Sequence, residues 1–226
     1  MRQCWEGKEY SESDCHILIL GESHYNSSDK NGPDIGKRLP DNYTKNVVEY
    51  YLSVKRGDIV RETGESYRWT AFFTKISKTF GYDDVEAFYN RILFANYIDV
   101  YCGTKNSFST KYISDTDNRI RCNNELFELI NEKCVENIVC VSTLAYNNLP
   151  SLHDTEHEYE KKTVLTHNSG KNGLVKQCHY IASVTHAYCD VLLNADINVY
   201  SVGHPSSGRY SAKCIREYLT KDDLKV

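Results

Sequence analysis

The chain has 226 residues, 40% of them apolar and 26% charged, and a formal net charge of −4. That length suits one ordinary domain, or a domain carrying an insertion, and it buries about 70% of the unfolded surface, enough for a core without covalent staples. No apolar run approaches the ~20 residues of a membrane-crossing helix, Met1 to Glu9 lacks a signal-peptide core, and the charge balance neither demands nor excludes nucleic acid. A cytoplasmic protein is expected, in which the nine cysteines act mainly as small buried hydrophobes.

Taken in order, Ile17-Leu18-Ile19-Leu20 is a branched apolar run that ends on Gly21 and predicts a strand buried on both faces. Glu22, Ser23, His24 and Tyr25 then fall just past its carboxyl end, where ligands bind in open α/β sheets. Residues 26–43, broken by Gly32, Pro33, Gly36 and Pro40, predict a loop. Val47, Val48, Tyr51 and Leu52 mark a helix over Thr44 to Arg56, and Trp69, Phe72, Phe73, Ile76 and Phe80 a second over Tyr67 to Phe80. Asp83 or Asp84 is placed to cap a short helix through Tyr89.

Ile92 to Asn96 is the second predicted strand, residues 102–121 a polar connection, and Leu126, Leu129 and Ile130 lie on the next helix. Asn137 to Ser142 is the third strand and Ile197 to Val202 the fourth, with a closing helix from Ala212 to Leu219. Leu174 to Leu193 is left open between helix and strands. Strands alternating with helices predict an α/β fold: a four-stranded parallel, doubly wound sheet flanked by helices. The whole of 1–226 reads as a single domain, with a long insertion at about 147–195 that carries specificity.

Glu22, Asn96 and His204 each follow a buried strand, so a parallel sheet brings a carboxylate, an amide and an imidazole to one edge. Strand-Gly21-Glu22-Ser23-His24-Tyr25 resembles the first motif of the uracil-DNA glycosylase superfamily. Phe94-Ala95-Asn96 looks like its strand-end asparagine, and His204-Pro205-Ser206-Ser207-Gly208-Arg209 is similar to its His-Pro-Ser motif. The order and spacing agree over most of residues 16–219. The best-known branch has aspartate where Ser23 stands, and the chain is closer to branches with glutamate at the position of Glu22.

The resemblance implies a monomeric DNA glycosylase of that fold, and no cofactor is expected. Glu22, His204 and Asn96 would be catalytic. Glu22 would stabilise the cationic sugar and orient water, His204 would donate to the departing base, and Asn96 would read the base edge. Ser23 and Tyr25 would line the pocket, Trp69 or Phe72 would stack on the flipped base, Ser206 and Ser207 would hold a phosphate, and Arg209 or Tyr210 would wedge into the gap in the DNA. The base is open between uracil, which Tyr25 would favour by screening its C5 position, and a bulky modified cytosine such as glucosylated hydroxymethylcytosine. The role is likewise open between base-excision repair and defence against phage.

Two other functions compete. A serine esterase of the SGNH type would use Ser23, Asn96 and His204, but Ser201 stands where its aspartate belongs and Phe94 where a glycine does. A non-catalytic nucleic-acid-binding module would keep the fold without the chemistry. No metal is expected: Cys4, Cys15, Cys102 and Cys122 lack the Cys-x-x-Cys opening of an iron–sulfur site, and no Cys/His spacing fits zinc.

Overall fold

The computed structural model describes residues 4–24, 35–59, 68–103, 106–152, 162–166, 173–207, 210–221 and 224. The chain opens on β1 (Cys4–Glu6) and β2 (Ile17–Gly21), then runs through α1 (Tyr43–Arg56), α2 (Arg68–Thr79) and α3 (Val85–Tyr89) to β3 (Leu93–Asn96). Helices α4 (Asn106–Ser114) and α5 (Thr116–Lys133) lead to β4 (Asn137–Cys140). Then come α6 (Thr143–Asn148), β5 (Ser151–Leu152), β6 (Lys162–Thr166), β7 (Gly173–Tyr180), β8 (His186–Ala187), β9 (Ile197–Ser201) and α7 (Ala212–Lys221).

The protein is α/β, built on a mixed sheet with strand order β1-β3-β2-β4-β9-β7-β6, while β5 and β8 form a separate pair. β3, β2, β4 and β9 run parallel to one another. β1 pairs antiparallel with β3 at one edge, and β7 pairs antiparallel with both β9 and β6 at the other. A purely parallel four-stranded sheet is therefore not what forms. The extra strands are short or polar: β1 has three residues, and β7 interleaves Lys176, Gln177 and His179 with Val175, Cys178 and Tyr180. β7 lies inside the stretch expected to be a specificity insertion, and its pairing makes that part scaffold.

Both faces of the sheet are covered. Leu18, Leu20, Ala95, Ile138 and Cys140 pack beneath α4, α5 and α6. Ile17, Ile19, Phe94, Val139 and Tyr200 pack beneath α1, α2, α3 and α7. This alternation is the period-two geometry of a strand between two apolar layers. Local signals set the helix ends. Asp84 accepts from the Glu86 and Ala87 amides to cap α3, Asp115 accepts from Asn118 to cap α5, and Gly57 closes α1 in the left-handed region at φ 85°. α4 starts within the stretch expected to be a polar connection.

The chain leaves β2 toward β3 on one side and comes back to β4 on the other. The boundary between β2 and β4 is thus the topological switch point, and the crevice beyond its carboxyl edge is where an α/β sheet offers a binding site.

Candidate active site

The segment after β2 is held by continuing the ladder with the segment after β3. Tyr97 N–H donates to the Gly21 carbonyl at 3.0 Å, Ile98 N–H to Glu22 at 2.9 Å, and Cys102 N–H to His24 at 3.3 Å. Glu22 therefore has a fixed backbone at the switch point. Its carboxylate is gripped from two elements: Ser109 Oγ on α4 donates to Oε1 at 2.8 Å, and Ser142 Oγ, after β4, donates to Oε2 at 3.0 Å. Hydrogen bonds to both oxygens fix its direction.

Gly21 and Asn96 are register partners in neighbouring strands. A Cβ on Gly21 would lie 2.2 Å from Asn96 Oδ1. Only glycine lets this amide lie flat against the strand end, and Asn96 is 7% exposed there.

His204 sits at the rim, three residues beyond β9. Its Nδ1 accepts the Ser206 N–H at 3.1 Å, and its carbonyl accepts the Ser207 N–H at 2.8 Å. A ring nitrogen that accepts a backbone N–H is unprotonated, so the neutral ring carries its proton on Nε2. The Phe72 ring packs against it with centroids 5.2 Å apart. Lost hydration holds the His204 pKa below its ordinary value; the Glu22 carboxylate pulls it up and Lys75 on α2 pushes it down. His204 thus feels Glu22 from one wall and Lys75 from another, and the ring at neutral pH is an uncharged N–H donor.

The structure brings Glu22, Asn96, Phe72 and His204 to the same edge of the sheet. Other expected site residues stand elsewhere. Ser23 Oγ is buried with no nitrogen or oxygen partner, and its hydroxyl faces the Cys102 thiol, so it does not line the crevice. Tyr210 is not a free wedge: its hydroxyl bonds Thr79 Oγ1 on α2 and its ring packs into the core under α2 and α7. Ser206 and Ser207 are exposed on the turn, with backbone amides already spent on His204. Tyr25, Arg209 and the side chain of Trp69 lie outside the described residues.

Ser109, Ser142 and Lys75 were not foreseen. Ser142 ends a buried strand and opens a helix, a pattern that does flag a cap; Ser109 and Lys75 carry no local signal. The nine cysteines are free thiols. Among the described residues no group of three or more His, Cys, Asp or Glu is placed to hold a metal ion, and no helix is long and apolar enough to cross a membrane. Compared with known proteins, the chain matches no family model and no curated sequence.

Proposed function

We propose that the chain is a DNA glycosylase of the uracil-DNA glycosylase superfamily that hydrolyses the N-glycosidic bond of a flipped pyrimidine and leaves an abasic site. The observation that carries this is the pairing of a clamped carboxylate, Glu22, with an uncharged Nε2–H donor, His204, at the switch-point crevice. As the bond from C1′ to the base breaks, the sugar gains positive charge and the base takes the electron pair. Glu22 offsets the first and orients the attacking water, whose oxygen bonds C1′. The water's proton passes to Glu22, and His204 donates an Nε2–H hydrogen bond to the base oxygen that collects the negative charge, remaining neutral throughout.

Asn96 supplies the donor and acceptor that a pyrimidine edge requires, and the Phe72 ring supplies the stacking face. Each stacked base is worth about 1–3 kcal/mol. DNA as partner, a monomeric enzyme and a role in repair or phage defence all belong to this proposal. Esterase chemistry finds less support. A serine nucleophile needs an imidazole whose Nε2 accepts its proton, whereas His204 keeps Nδ1 as the acceptor, and Ser23 Oγ is buried beside Cys102.

The test is a panel of duplexes containing uracil, a thymine mismatch or glucosylated hydroxymethylcytosine, treated with alkali after incubation. Strand cleavage on at least one is expected. Glu22→Gln should slow it by about 10²–10⁴-fold and His204→Ala by about 10²–10³-fold, with DNA binding retained. Absence of abasic sites on every duplex would overturn the proposal, and ester hydrolysis lost in Ser23→Ala would favour the esterase in its place.

A further inference from the structure

The turn that carries His204 is anchored along one stripe of α2. Phe72, Lys75 and Thr79 stand at positions i, i+3 and i+7, which share a helix face. Phe72 meets the His204 ring, Lys75 Nζ donates to the Pro205 carbonyl at 2.8 Å, and Thr79 bonds the Tyr210 hydroxyl. Thr79 Oγ1 also donates to the Lys75 carbonyl at 2.8 Å, tying two of the three together. The end of α2 is in turn fastened to α7, because the Arg216 guanidinium donates to the Lys78 and Thr79 carbonyls. The stripe is therefore a fixed rail, and the turn hangs from it at the start, the middle and the end.

The middle anchor does more than hold. Pro205 has no N–H of its own, so its carbonyl is the group through which that residue can be tied. The Lys75 donation fixes the peptide between Pro205 and Ser206, and the Ser206 N–H on that same peptide is what His204 Nδ1 accepts. Pulling on the carbonyl side of a planar amide orients the N–H side. We propose that Lys75 is a positioning residue for His204: its ammonium holds the Pro205–Ser206 peptide so that the ring stays the Nε2–H tautomer and turns that proton to the crevice.

Among the described residues, the charged groups acting on His204 are Glu22, after β2, and Lys75, on α2. They act on the ring with opposite signs, so removing Lys75 leaves lost hydration alone to oppose the carboxylate. The role in catalysis rests on the glycosylase assignment, whereas the effect on the ring does not.

The experiment follows His204 by nitrogen NMR in the full chain, with wild type, Lys75→Met and Lys75→Arg, and measures single-turnover excision on the duplex that wild type cuts. In wild type the ring should show an unprotonated Nδ1 and a protonated Nε2. Lys75→Met should give a mixture of tautomers and a higher His204 titration midpoint, and slow excision by about 10- to 100-fold, the scale of a misplaced reacting group. Lys75→Arg, which keeps the charge and the donor, should restore most of both. An unchanged tautomer and midpoint in Lys75→Met overturns the positioning role whatever the enzyme cuts. A His204 response as expected with no duplex cut by wild type upholds the positioning role and removes the glycosylase assignment instead.

Discussion

Ser142 and Glu22 meet across the switch point: Ser142 Oγ donates to Glu22 Oε2 at 3.0 Å while accepting the Ala145 N–H at 3.2 Å. One hydroxyl thereby caps α6 and aims the carboxylate, so the start of a helix and the geometry of the site are one feature. Ser142→Ala should lower stability by about 1–2 kcal/mol, the usual cost of a lost cap, and slow excision roughly tenfold through a loosened Glu22. Ser109→Ala removes the partner of the other carboxylate oxygen without touching a cap. It should slow excision by a similar factor with a smaller change in the urea midpoint. Denaturation and single-turnover rates on the two variants check this, and equal stability losses would separate the cap from Ser142.

Gly21→Ala tests the contact between β2 and β3. The new Cβ would stand 2.2 Å from Asn96 Oδ1, and the amide, being the end of a side chain, gives way before the backbone does. Moving a buried amide out of its place costs on the order of 1–3 kcal/mol. The expected result is a folded variant with a lowered melting temperature and a blurred choice among pyrimidines, seen as converging rates across the duplex panel. A variant that keeps both its stability and its selectivity would mean that Asn96 does not read the base.

The central strands were legible because burial on both faces demands what Ile17 to Leu20, Leu93 to Asn96 and Asn137 to Cys140 supply, an apolar run with no polar period. β1, an edge strand, escaped notice for the opposite reason, whereas the stretch holding β7 stayed open between helix and strands because Lys176, Gln177 and His179 interrupt its apolar residues. An edge strand needs few residues, and β1 is steadied by a distant contact, the Trp5 indole N–H donating to the Tyr89 carbonyl at 2.8 Å. At the candidate site, the residues proposed to act on the substrate, Glu22, Asn96 and His204, follow strands, so their shared sheet edge was legible in the sequence. Those that steer them could not. Ser109 reaches Glu22 across 87 positions and Lys75 reaches Pro205 across 130, and no local pattern encodes a pairing at that range. α4 was hidden by the same polarity that equips it, since a serine aimed at a carboxylate reads as loop composition.

Acid should destabilise the fold through His24. This residue is buried, its Nε2 sits 2.9 Å from Thr44 Oγ1 at the start of α1, and burial pushes its pKa down to about 4. Between the ordinary value of 6.5 and about 4 the unfolded chain binds a proton that the folded chain refuses, so stability rises with pH across that window. It is complete above about 6.5 and lost progressively as pH falls, by on the order of 3 kcal/mol for this one group. Burial lowers His186 in the same direction. Urea midpoints measured across that window should show the slope, and His24→Gln should flatten it. An unchanged slope in that variant would assign the acid sensitivity to other groups.

Cys134, at the end of α5, is a position where a stabilising change is expected. It ends α5 in the left-handed region at φ 51°, and its N–H donates to the Ile130 carbonyl. The following residue, Val135, donates to the same carbonyl at 3.0 Å. That is the geometry helix ends favour for glycine, and a residue with a Cβ adopts it at a cost of about 1–2 kcal/mol. Cys134→Gly removes that cost but enlarges the unfolded ensemble, which returns about 0.5–1 kcal/mol of it. A net gain of about 0.5–1 kcal/mol follows, or a rise in melting temperature of roughly 1–4 °C for a chain of this size. Cys134→Ala keeps the Cβ, so it should show no such rise. If Cys134→Gly instead lowers the melting temperature, the exposed thiol contributes to the packing of Tyr10 and His16, whose tilted rings meet with centroids 4.9 Å apart beside it. Excision should be untouched in either variant, since Cys134 lies at the opposite end of α5 from the site and contacts the start of β2 rather than its carboxyl edge.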